Sequence, residues 1–189
     1  MKKLSETVAS EKFAGATHKE RGMKMINLKN VNTENISAIL NLNLLDEQKH
    51  FVDAGGNRDA LAFCYAWTVE NKEVVAKGIY HENTVIGLVI YYYEFIDFSE
   101  VEFHDLPCYN SDVCWIDYIM IDEKYQGKGY GKIAFQLLMD DIRINSLNKA
   151  EYAMIRYSDD NDVARNLYKS EGFKEFAILE DGCYAMVSI

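Results

Sequence analysis

The residues Gln126-Gly127-Lys128-Gly129-Tyr130-Gly131 stand between an apolar run (114–121) and an amphipathic one (133–142), and no other feature constrains the chain as much. The order reads as a strand, a glycine-rich turn and a helix N-terminus. Glycines at alternating positions let consecutive backbone N–H groups converge on one concavity, and the helix dipole adds partial positive charge there. Such a turn suits a pyrophosphate, so a nucleotide-like cofactor is expected.

The glycine spacing differs from that of a Walker A loop, and Lys132 is followed by Ile133 rather than by the hydroxyl that would hold Mg²⁺, which argues against phosphoryl transfer. Lys132 also stands where a dinucleotide fingerprint needs its third glycine, and the turn lies late in the chain rather than in a first βαβ unit. NAD and FAD are therefore disfavoured. Further on, a strand over 151–157 is followed by Asn161-Asp162-Val163-Ala164-Arg165-Asn166-Leu167-Tyr168-Lys169-Ser170-Glu171-Gly172-Phe173, which reads as a short helix closed by glycine. The Gln-x-x-Gly-x-Gly turn and the Leu-Tyr-x-x-x-Gly-Phe ending together resemble the two signatures of the GNAT superfamily of N-acetyltransferases. The resemblance runs from about residue 25 to the C-terminus. It implies an α/β fold with a mixed, mostly antiparallel central sheet flanked by helices, and acetyl-CoA as co-substrate.

At 189 residues the chain fits one domain, placed at 25–189. Residues 1–24 carry six Lys or Arg against three Glu with little periodicity and read as a flexible N-terminal extension. No apolar stretch has the length of a membrane span, and the start lacks a signal-peptide core, so a cytoplasmic location is expected and a membrane partner is not. Cys64, Cys108, Cys114 and Cys183 have no paired spacing, and His104 with Cys108 makes at most half a metal site, so neither a disulfide framework nor a metal is expected.

From residue 25 the periodicity predicts a strand over 25–28, helices over 33–44 and 57–69, and strands over 74–80 and 84–93 joined at Glu82-Asn83. Strand 114–121, the helix after the glycine turn, strand 151–157, helix 163–170 and a hairpin over 174–189 turning at Asp181-Gly182 complete the chain.

Acetyl transfer to an amine needs a neutral amine, stabilisation of the developing oxyanion and a proton for the departing thiolate. An alkylamine has a pKa of about 10 and arrives charged, so a carboxylate that relays its proton is useful. Asp117, nine residues before Gln126, stands where polyamine acetyltransferases of the superfamily carry an acid; the alternative is an acid on a solvated strand face. By resemblance, the backbone of Ile119, Met120 and Ile121 supplies oxyanion donors and pairs with the pantetheine arm, and Tyr168 is the general acid. Asn161 caps its helix, touches CoA, or both. Gln126, Gly127, Gly129, Tyr130 and Gly131 form the phosphate turn, while Lys128 and Lys132 either pair with CoA phosphates or stand solvated.

Between Lys77 and Lys124 there are ten acidic residues and no Lys or Arg, in a chain of net charge −10. Aromatic residues are interleaved there, with Tyr93 and Glu94 leading into the connection before Asp117. Acids with aromatics suit a cationic alkyl chain and disfavour nucleic acid; the alternative is a loop kept negative for solubility. The stretch from Trp115 to Gly129 is similar to bacterial spermine/spermidine N-acetyltransferases, which implies a small cationic amine substrate. An aminoglycoside-like acceptor, a protein amine and a non-catalytic acyl-CoA-binding module remain open, and a homodimer is an option the sequence does not decide.

Overall fold

The computed structural model describes residues 25–52, 56–70, 73–96, 108, 111–145, 150–180 and 182–189; the N-terminal extension and most of the acidic connection, with His104, lie outside them. Strands β1 (Ile26–Asn30), β2 (Glu73–His81), β3 (Thr84–Ile96), β4 (Ser111–Ile121), β5 (Tyr152–Tyr157), β6 (Lys174–Leu179) and β7 (Gly182–Ser188) form one sheet. Their order is β1-β2-β3-β4-β5-β7-β6. Every neighbouring pair is antiparallel except β4 with β5, so the expected mixed, mostly antiparallel sheet is borne out.

Helices α1 (Ile36–Leu40) and α2 (Asn57–Val69) cover one face, and α3 (Tyr130–Asn145) and α4 (Asp162–Ser170) the other. Helix α3 repeats apolar residues at helical spacing, and Phe135, Leu138 and Ile142 are fully buried against β3, β4 and β5. Each such side chain contributes about 1.5–3 kcal/mol by leaving water. Polar ties are added at the rim. Lys77 on β2 reaches Asp141 on α3 at 2.5 and 2.6 Å, and the Tyr91 hydroxyl donates to the same carboxylate at 2.8 Å.

The helix expected over 33–44 is much shorter. Asparagines explain this, because their side chains compete for backbone groups that a helix would use. The Asn32 side chain accepts from the Glu34 and Asn35 N–H groups before the helix, and Asn41 donates to the Ser37 carbonyl as it ends. The chain then runs on to a 3-10 turn at Asp46–Phe51, which periodicity did not indicate.

One buried amide joins the two helices of this face to the sheet. Asn57, at the start of α2, donates to the Ile39 and Leu42 carbonyls, both at 3.1 Å, and accepts from the Tyr118 hydroxyl at 3.0 Å. Replacing Asn57 with Ala withdraws all three bonds in a buried setting, and unfolding in urea is expected to show a loss of about 2–3 kcal/mol. A loss below about 0.5 kcal/mol would mean that water satisfies these groups.

Candidate active site

Two features of β4 open the site. Its register with β3 passes from Ile90↔Tyr118 to Tyr91↔Ile116, so Asp117 has no opposite residue and forms a bulge. Its parallel pairing with β5 runs only from Val113↔Tyr152 to Ile116↔Ile155. Beyond the bulge the two strands part, and from Tyr118 to Ile121 the strand pairs with β3 alone. Backbone groups of Ile119 and Ile121, which would have met β5, therefore turn toward the gap, while those of Met120, expected there too, alternate to the β3 side, where the Met120 carbonyl lies against Gly87.

The gap is part of a cavity of about 840 Å³, within the range of small-molecule sites. Gln126, Gly127, Gly129, Tyr130, Gly131 and Lys132 line it at one end, with Asn161 and Tyr168 from the α4 side. Gly127 and Gly129 have φ of 71° and 78°, and a Cβ built on either would meet nothing within 4 Å. The turn thus holds left-handed backbone beside open space, which fits a phosphate group cradled by N–H groups at the start of α3.

Tyr168 lies on the inner face of α4 and is 6% exposed. Its ring packs on Tyr157 at 5.2 Å and Phe135 at 5.1 Å, and burial pushes its phenol well above the ordinary range. Helix α4 is held by Asn161, whose side chain accepts from the Ala164 N–H at 3.0 Å while the residue also lines the cavity. Tyr157 is fixed in turn: its hydroxyl donates to Glu175 at 2.6 Å, and that carboxylate also receives Arg165 and Lys169, each at 2.9 Å. The Tyr157 hydrogen bond, then those of Lys169 and Arg165, lowers the Glu175 pKa to about 2.

At the other end Asp117 lines the cavity with Phe63 of α2, Tyr92 of β3, Trp115 of β4 and Tyr184 of β7. The Trp115 and Tyr184 rings are 6.3 Å apart, and Trp67 backs Tyr92 at 4.6 Å. Burial, then the charges of Glu94 and Asp117, push the Tyr92 phenol up. Arg156 also reaches this end.

Not every expected residue is gathered here. Tyr93 alternates to the opposite face, edge-on to Tyr91 at 6.0 Å and packed on the core beneath α3; Tyr92 takes the place expected of it. Glu94 stands near Tyr92 but is not part of the lining. Lys128 turns away as well, donating to the Lys124 carbonyl at 3.0 Å and lying over the Tyr125 ring. The lining also includes Gln48, His50 and Phe51 of the 3-10 turn, for which the sequence offered no period or motif. Among the described residues there is no cluster of three or more His, Cys, Asp or Glu suited to a metal, and no helix is long and apolar enough to cross a membrane.

Residues 36–173 match the acetyltransferase (GNAT) family. The chain belongs to that family. This GNAT acetyltransferase is 29% identical over 149 residues to the spermine/spermidine N(1)-acetyltransferase of Bacillus subtilis (strain 168), covering 79% of this chain and 88% of that protein. Its fold is similar to that of the Vibrio cholerae spermidine N-acetyltransferase in complex with CoA and spermine, with a TM-score of 0.59, 17% identity and coverage of 88% and 95% of the two chains. It is equally similar to the ribosomal L7/L12 alpha-N-protein acetyltransferase RimL in complex with coenzyme A, with a TM-score of 0.60, 13% identity and coverage of 87% and 94%. The family assignment therefore fixes the fold and the reaction type, while acceptors differ among proteins of this shape.

Proposed function

We propose that this enzyme transfers the acetyl group of acetyl-CoA to a primary amine of a small polycationic acceptor, spermidine or spermine, by direct attack. The observation that carries the reading is the position of Asp117, at the bulge where β4 leaves β5 and in the same cavity as Tyr168. The relationship to the Bacillus subtilis enzyme adds to it. Gln126, Gly127, Gly129, Tyr130 and Gly131 would hold the pyrophosphate, with Lys132 and Asn161 beside it.

Bound acetyl-CoA supplies an activated thioester carbonyl. Asp117 takes a proton from the acceptor ammonium, directly or through water, and leaves a neutral amine whose lone pair forms the new N–C bond. The backbone N–H groups of Ile119 and Ile121, on the side of β4 that faces the gap, would stabilise negative charge on the carbonyl oxygen. Tyr168 would donate to the sulfur as the C–S bond breaks; of the two protons the nitrogen loses, the one given up after the N–C bond forms offsets the proton the thiolate gains, and the one taken earlier by Asp117 passes to solvent as the net proton released. Among the described residues no cysteine lines the cavity, and the buried Cys114 thiol is pushed up by desolvation, which favours direct attack over a thiol acyl-enzyme.

Acidic and aromatic groups around Asp117 suit an alkylammonium chain. Spermidine or spermine is expected to be acetylated in preference to neutral or anionic amines, with an apparent KM that rises with salt as attraction is screened. An amine of pKa about 10 is neutral in only about one molecule in 10³ at pH 7. Asp117→Asn should therefore depress turnover about 10²-fold at neutral pH and recover in part as pH rises. The deciding experiment is an acetyl-CoA turnover screen across polyamines, aminoglycosides, amino-acid amines and peptides. Absence of polyamine turnover would overturn the acceptor and leave the cofactor standing. One observation favours a second reading, a peptide amine: the Arg156 guanidinium at the acceptor end could meet a peptide carbonyl or carboxylate.

A further inference from the structure

We propose that the 3-10 segment Asp46–Phe51 is a strap across the cofactor cleft, hinged on one wall and clasped to the other by His50 and Asp160, which opens each time cofactor enters or leaves. The inference rests on the reading of this cleft as the CoA site. One wall comprises the end of β4 and the glycine turn, joined behind the cavity by the 3-10 turn Glu123–Tyr125; the other comprises β5 and the loop into α4. The strap is joined to the two very differently.

On the first wall the attachment is multiple and partly buried. Asp122, 3% exposed, accepts from the Asn43 N–H at 2.9 Å, and the Glu123 N–H donates back to the Asn43 carbonyl at 2.8 Å. Further along, the Gln126 amide donates to the Gln48 side chain and to the Ile121 carbonyl, both at 2.8 Å, so the strap holds the first residue of the phosphate turn. Hydrogen bonds to a buried carboxylate are among the stronger ones.

On the second wall the attachment among the described residues is a single contact, His50 Nε2 to Asp160 Oδ2 at 3.3 Å, between side chains 55% and 67% exposed. Both partners are held ready for it. The His50 ring packs on Phe51 with centroids 4.0 Å apart, and Asp160 accepts from the Ser158 hydroxyl through its other oxygen. An exposed side-chain contact of this kind contributes little, so this end releases first while the Asp122 end stays anchored. Asp160 immediately precedes Asn161, the cap of the helix that carries Tyr168, so the clasp closes directly over the junction of cofactor turn and α4.

The test is stopped-flow binding of CoA to the full chain and to His50→Ala, Asp160→Ala and the double variant. Each single change is expected to speed both association and dissociation about two- to fivefold, because it lowers the cost of opening, and Asp160→Ala, which removes no residue of the cavity lining, should do so with nearly constant Kd. The double variant should be no faster than either single one, since both remove the same contact. Both side chains are exposed, so folding is not at stake. Unchanged rates in either single variant, or accelerations that multiply in the double one, would overturn the strap. Failure of the unaltered protein to bind CoA would instead remove the cofactor reading and the strap with it.

Discussion

Tyr168→Phe is expected to retain acetyl-CoA affinity and to lower kcat by roughly 10²- to 10⁴-fold, the range of general-acid catalysis. The change removes one oxygen and leaves the ring in its place against Phe135, Tyr157 and Phe173, so packing predicts almost no effect. The two accounts therefore separate cleanly in steady-state kinetics. Because burial raises the Tyr168 pKa above its ordinary value near 10, the phenol stays protonated through neutral and mildly alkaline pH. Turnover should then climb from pH 7 to about 9.5 as the amine is freed, without a falling limb from Tyr168 in that interval. On the proposed reading, a phenol so reluctant to ionise would act first as a hydrogen-bond donor to the sulfur and would yield its proton only as the C–S bond breaks. Normal turnover in Tyr168→Phe would remove it from the mechanism.

Gly129→Val should abolish measurable cofactor binding at ordinary concentrations, with affinity falling at least about 10²-fold, close to 3 kcal/mol. Two costs combine. A β-branched residue at φ of 78° is strained by about 1–2 kcal/mol, and its side chain fills space that a phosphate would need. Since a Cβ there meets no protein atom within 4 Å, the fold itself should tolerate the change apart from the backbone strain. Calorimetry showing unchanged acetyl-CoA affinity in a folded Gly129→Val protein would place the cofactor elsewhere.

What was legible in the sequence was chemistry that acts over a few residues. Glycines that take left-handed φ, an Asn that caps a helix and apolar residues at helical spacing all announce themselves locally, which is why the turn at 126–131 and the α4 segment could be placed beforehand. What depended on distant partners could not. Tyr92 and Tyr93 are indistinguishable by type, and only the register of β3 on its neighbours decides which one meets the cavity. The strap owes its position to residues about eighty and 110 positions away, through Asp122 and Asp160. Helix 33–44 failed for the opposite reason: its apolar period was real, but local asparagine bonding ended it early.

The unpaired residue in β4 has a consequence for how this site can change over time. Upstream of Asp117 the even-numbered Cys114 and Ile116 belong to the core beneath α3; downstream that core receives the odd-numbered Ile119 and Ile121, and Tyr118 and Met120 go to the other face. One extra residue has exchanged the two sides of the strand. Losing the residue at 117 would join Ile116 to Tyr118 in an unbroken ladder against β3, with Tyr118 and Met120 still on their present face, and would remove both the acid and the bulge beyond which β4 parts from β5. The site is thus inherited as a count as much as a set of side chains: one residue fewer in β4 would keep the core and lose the site.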